Sequence, residues 1–136
     1  EIDLRRLLRQ APARPDRLML EKVNLSEKLA SFDEPFSPRI VGYYNDTKIQ
    51  VAKTRGPFVW HAHPDTDDLF LVLAGSLRVE LRDGAVELGE GELLVVPRGV
   101  EHRPVADDEA HVLLLELTGT PNTGDSDAQA APEVEL

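Results

Sequence analysis

The chain has no cysteine. That excludes disulfides and thiolate ligation, so any metal it binds is held by nitrogen and oxygen. The absence also fits a cytoplasmic protein. No apolar run approaches the roughly 18 residues a transmembrane helix needs. Glu1 to Leu18 carries five arginines and no apolar block, so it does not read as a secretory signal. A basic surplus is missing as well. The formal net charge is -10, made up of +2 in residues 1–18, -8 in 19–118 and -4 in 119–136. An acidic body argues against a nucleic-acid partner and weakly disfavours polyanionic substrates. There is no internal repeat. What is present is one domain's worth of chain, 136 residues with 41% hydrophobic content, enough for one modest core.

Helical spacing of Ile2, Leu4, Leu7 and Leu8 is broken by Ala11-Pro12-Ala13-Arg14-Pro15. Residues 1–18 therefore read as a weakly ordered extension, and Met19, the single methionine, as a fresh start. Val23 to Phe32 is expected to form one amphipathic helix, capped by Asn24 or Ser26 and ended by Glu34-Pro35-Phe36-Ser37-Pro38. Short strands follow, expected at Ile40–Tyr44, Lys48–Lys53, Phe58–His63, Leu69–Leu73, Ser76–Arg82, Val86–Leu88, Leu93–Val96 and His111–Leu117. Lys48–Lys53 alternates through Ile49 and Val51. Asp83-Gly84 is a hairpin signal. Eight or so short strands punctuated by turn residues imply an all-β barrel or jelly roll. Residues 119–136 read as a flexible acidic tail.

Two punctuated motifs carry the chemistry. The first is His61-Ala62-His63, then Asp68, then Gly75; the second is Gly91, Pro97-Arg98-Gly99, then His102. Three imidazoles and a carboxylate suit borderline divalent metals. On a strand, His61 and His63 project to one face, and a hairpin returns Asp68 beside them. A His-x-His pair alone is more often a surface feature, and Asp67 replaces Asp68 if the register shifts by one. His111 matches neither motif and is expected to be a hydrogen-bonded or exposed strand residue. Trp60 is expected to face away from His61 into core packing. Arg98 and Arg103 bracket His102; they suit an anionic substrate or, more commonly, local ion pairs with carboxylates such as Glu101. No separate general base stands near the motifs; Tyr43 or Tyr44 could serve, but strand tyrosines are usually packing residues.

Gly56 to Gly75 resembles the first cupin motif and Gly91 to Ala106 the second. Two spaced motifs in the right order make the resemblance specific, and the strand pattern extends it from about Ile40 to Leu117. It implies a double-stranded β-helix (jelly-roll) barrel in residues 19–118, with a short N-terminal helix and flexible termini. It also implies one divalent ion (Fe, Mn, Ni or Zn) held by His61, His63, Asp68 and His102. The likeness is to small stand-alone cupins of the mannose-6-phosphate isomerase-like kind. Asp68 replaces the family's usual glutamate, shortening the reach by about 1.5 Å on ordinary chain dimensions. Ala106 replaces its asparagine, and the loop from Gly56 to His61 is one residue shorter than usual. The readings that follow are a metal-dependent oxygenase or isomerase, a non-catalytic small-molecule binding or sensing barrel, and a metal-free interaction protein. A homodimer paired through outer strands is expected, with the open edge near Ile40 as its place.

Overall fold

A computed structural model describes residues 20–136. The expectations for residues 1–18 and Met19 lie outside the described residues. A short helix α1 (Leu25–Ala30) comes first, and Asn24 caps it by accepting a hydrogen bond from the Glu27 amide at 3.0 Å. Strands β1 (Arg39–Tyr44), β2 (Thr47–Pro57), β3 (Asp68–Ala74), β4 (Leu77–Leu81), β5 (Gly84–Leu88), β6 (Leu93–Val96), β7 (His102–Leu117) and β8 (Val134–Glu135) follow. They join in the order β5-β4-β7-β2-β1-β8, with β3 bridging β6 and β7. All pairs are antiparallel except β1 with β8.

β7 organises the barrel. One edge runs along β2 from Thr47↔Leu117 to Pro57↔Val105. The other edge takes β4 at its start and β3 towards its end. The interior packs Val72, Leu77, Val79, Ala110 and Val112, none more than 1% exposed. Burying side chains of this size contributes about 1.5–3 kcal/mol for each Val or Leu.

β2 has two different faces. Ile49 and Val51 pack outward, with Leu29 and Phe32 of the helical segment and with Val41. Lys48, Gln50, Ala52 and Thr54 share the opposite face, which looks into the barrel. The strand is buried on both sides, so alternation marks its two environments without saying which is interior.

The expected strand Phe58–His63 is extended chain with a single bridge, His61↔His102. The β4–β5 turn falls at Arg82-Asp83, one residue before Asp83-Gly84, because Leu77 pairs with Leu88 and Leu81 with Gly84. Either register keeps the same side chains inward, so the alternation could not choose between them. Gly75, which closes the first motif, has φ +81, and a Cβ there would lie 2.9 Å from the Glu109 carbonyl oxygen. Only glycine fits that approach of the β3–β4 turn to β7.

Residues 119–136, expected as a flexible tail, lie against the barrel. Thr123 is 4% exposed, and β8 pairs with Arg39 and Ile40 of β1. The edge near Ile40 is therefore occupied by the chain itself. Among the described residues β6 pairs with β3 alone and leaves Leu93 and Val95 exposed.

Candidate metal centre

Three elements bring the motif residues together. His61 and His102 exchange both backbone hydrogen bonds of an antiparallel bridge, at 3.1 and 2.9 Å, which sets their side chains on the same side. The Gly99 amide donates to the His63 carbonyl at 2.9 Å, tying the second motif's turn to the first motif. Asp68 opens β3 opposite Val96, just before Pro97-Arg98-Gly99. The ligand atoms of His61, His63, Asp68 and His102 all lie within 4.8 Å of one another, and all four residues are buried.

The hydrogen bonds around the imidazoles fix their chemistry. His61 Nδ1 lies 2.9 Å from the Val59 carbonyl oxygen, and His102 Nδ1 lies 2.9 Å from that of Val100. A carbonyl only accepts, so each Nδ1 carries the proton and each Nε2 keeps its lone pair. Asp68 Oδ2 lies 3.2 Å from His63 Nε2 and 3.5 Å from His102 Nε2. Among the described residues, the buried side-chain atoms without a hydrogen-bond partner are His63 Nδ1, His63 Nε2, Asp68 Oδ1 and His102 Nε2. All belong to this cluster. Leaving such atoms unsatisfied costs about 1–3 kcal/mol each.

Burial pushes His61 down to about 4, against the rise from its bond to Val59, and His102 and His63 lower it further. Asp68 is raised by burial, but the imidazoles of His102 and His63 outweigh that and hold it below the ordinary carboxylate value. His61 is thus set as a neutral imidazole beside the Asp68 carboxylate, the state in which such groups ligate metals.

A pocket adjoins the cluster, with Phe36, Phe58, Phe70 and Leu114 among its walls and His61 and Glu116 among its polar lining. The sequence reading missed Glu116. Its Oε2 lies 3.7 Å from His63 Nε2, its Oε1 accepts from Gln50 at 3.3 Å and lies 3.8 Å from Lys48 Nζ. Burial, and next the charge of Asp68, push this carboxyl up to about 8, against His63, Lys48 and Gln50. The available signal was a set of polar residues at alternate positions, Lys48 and Gln50, opposite a lone glutamate in the apolar run of β7.

The other candidates fall outside the cluster. Asp67 is exposed and accepts from the Arg98 amide at 2.9 Å. Arg103 pairs with Glu80 at 2.6 Å, and Glu101 pairs with Arg82. His111 lies 3.0 Å from Glu109, as a hydrogen-bonded strand histidine. Tyr43 bonds Glu135 on β8, and Tyr44 is exposed. Trp60 is not core: it is half-buried, with the guanidinium of Arg82 3.9 Å and that of Arg103 5.2 Å from its ring centroid. An aromatic face next to two guanidinium groups is better used by cation–π contact than by burial.

The family model for the cupin domain matches residues 48–118. The uncharacterized protein YdbB of Bacillus subtilis (strain 168) is 34% identical over 80 residues. That alignment covers 58% of this chain and 65% of YdbB, just under two thirds of the relative. The crystal structure of a cupin-2 domain containing protein from Shewanella frigidimarina is 37% identical, with a TM-score of 0.71, over 74% of this chain and 98% of that one. Hydroquinone 1,2-dioxygenase from Sphingomonas sp. TTNP3 shares the fold, with a TM-score of 0.59 at 18% identity, over 80% of this chain and 75% of that one. With the family model spanning more than half of the sequence, and both motifs meeting inside one barrel, the chain belongs to the cupin family.

Proposed function

We propose that the chain holds one divalent metal ion through His61, His63, Asp68 and His102 and binds a small molecule in the adjoining pocket. One observation carries this reading. The buried polar atoms that lack partners are gathered at a single point, where an ion would satisfy those of them that face it. The donor set of imidazole nitrogen and carboxylate oxygen suits Fe, Mn, Ni or Zn. When bound, such an ion supplies Lewis-acid polarisation of a ligand or, as iron, redox chemistry with dioxygen.

The chain's own residues divide the remaining work. Val59 and Val100 hold His61 and His102 in the ligating tautomer. Phe36, Phe58, Phe70 and Leu114 give the pocket apolar walls that suit a largely apolar ligand. Glu116 stands in the wall beside His63, and as the protonated carboxyl that burial favours it is placed to donate a hydrogen bond to the ligand. The arginines are occupied outside by Glu80, Glu101 and Asp67, so an anionic substrate has no evident counter-charge from them. Glu116 favours a metal-dependent enzyme, oxygenase or isomerase, over a purely binding or sensing barrel, because it supplies a proton-exchanging group beside the ligands.

A cytoplasmic location is part of this reading. Among the described residues no helix is long and apolar enough to cross a membrane. A homodimer paired through an outer strand would use β6, whose second edge is unpaired among the described residues, in place of the edge near Ile40.

Elemental analysis of untagged protein, beside a His61→Ala/His102→Ala variant, tests the metal centre. About one metal per chain, lost in the variant, is expected. A wild type that takes up no metal after reloading would overturn the reading.

A further inference from the structure

The His61-Ala62-His63 segment is not part of a regular strand, so its backbone must be held by other means. His102 takes both backbone groups of His61, and Gly99 takes the His63 carbonyl. The backbone of Ala62, which is 8% exposed, is satisfied from the C-terminal segment. Asp125 Oδ1 accepts from the Ala62 amide at 2.7 Å, and the Asp125 amide donates to the Ala62 carbonyl at 3.0 Å.

Gly124 makes that approach possible. Its φ is +54, and a Cβ there would press into the Ala62 carbonyl and lie 3.0 Å from Cδ2 of the His61 ring. The segment is itself anchored. Asn122 donates to the Phe36 carbonyl at 3.1 Å and lines the pocket. Lys48 Nζ, on a side chain 2% exposed, donates to the Thr120 carbonyl at 2.7 Å and to Glu133 at 2.9 Å.

We propose that the segment Gly119–Leu136 is a working part of the metal centre, with Asp125 as a positioning residue that clamps the peptide between ligands His61 and His63. This rests on the metal reading above. Both peptide units flanking Ala62 lead directly to a ligand, so releasing them lets the two imidazoles turn relative to each other. Partners of this kind, one step behind the ligands, are worth about 10–100-fold in metal affinity. The cupin family model ends at residue 118, so the clamp lies beyond the matched family core.

The test is Co²⁺ binding to the full chain, by competition with a chromophoric chelator, together with the visible ligand-field spectrum of the Co²⁺ protein. The variants are Asp125→Ala, Asp125→Asn and Gly124→Ala. Asp125→Ala is expected to weaken binding at least tenfold and to alter the spectrum. Asp125→Asn keeps an oxygen that accepts from the Ala62 amide, so it is expected to restore affinity to within about threefold. Gly124→Ala keeps Asp125 but forces the segment away, and is expected to behave like Asp125→Ala. It serves as the second probe should Asp125→Ala fail to fold.

Wild-type affinity and spectrum in Asp125→Ala or in Gly124→Ala would overturn the proposal. So would an Asp125→Asn variant as weak as Asp125→Ala, since that would make charge the cause. Amide hydrogen exchange at Ala62, followed without metal, separates this idea from the metal reading. Faster exchange in Asp125→Ala supports the clamp even if wild type binds no Co²⁺, and unchanged exchange refutes it.

Discussion

Glu116→Gln is the substitution that tests most directly the electrostatics of the barrel interior. In the metal-free protein, burial raises the Glu116 carboxyl from 4.5 to about 8. The folded state therefore holds a proton that the unfolded state releases. Stability from this group is full below about pH 4.5 and is lost as pH rises through 8. At 1.36 kcal/mol per pH unit the loss amounts to about 5 kcal/mol, an upper bound because relaxation and water entry soften it. Glutamine cannot ionise, and its carbonyl oxygen still accepts from Gln50 as Glu116 does at 3.3 Å. Lys48 keeps Thr120 and Glu133. Urea unfolding followed by the fluorescence of Trp60, the one tryptophan, measures both proteins from pH 5 to 9. The advantage of Glu116→Gln over wild type should be small near pH 5, grow to about pH 8 and then level off. Parallel curves across that range would refute the burial argument. Added Zn²⁺ should shrink the alkaline loss in wild type, because a nearby cation favours the charged carboxylate.

His61, lowered from 6.5 to about 4, works in the opposite direction. Its folded-state contribution is full above pH 6.5 and is lost as pH falls towards 4, about 3 kcal/mol in all. The difference in unfolding free energy between metal-free wild type and His61→Gln should follow that window. Gly75→Ala places a Cβ 2.9 Å from the Glu109 carbonyl oxygen at φ +81, and should cost about 2–4 kcal/mol in urea unfolding. Trp60→Ala removes a ring that faces Arg82 and Arg103 outside the core. It should cost only about 1–2 kcal/mol by circular dichroism and leave metal content unchanged.

The barrel was legible because apolar alternation and Gly/Pro turns are local signals. The four candidate ligands were legible because the two motifs fix their spacing. Asp68 over Asp67 followed from the motif spacing, and the register of β3 against β6 sets Asp68 opposite Val96. Glu116 and Lys48 were hidden because a strand buried on both faces looks amphipathic. Its apolar side met the helix, and its polar side met the barrel interior. Asp125 was hidden because its role is carried by backbone hydrogen bonds. A run rich in Ala, Asp, Pro and Gly shows no sign of them and reads as disordered.

The position of β7 has a consequence for how the chain folds. Without it the remaining pairings fall apart into β1 with β2 and β8, β3 with β6, and β4 with β5. Two of these pieces are two-stranded, and the first adds to its hairpin only the two residues of β8, which follow β7 in the chain. A two-stranded unit is marginal in water by itself, so none of these pieces has a stable partner until residues 102–117 arrive. Thr47 waits for Leu117, and the barrel has no stable half. Assembly should be all-or-none and slow, in the millisecond-to-second range of non-local β topologies. The amides of β7 should be among the last to exchange with solvent, and a chain stalled before residue 102 on the ribosome would expose several uncovered strand edges at once.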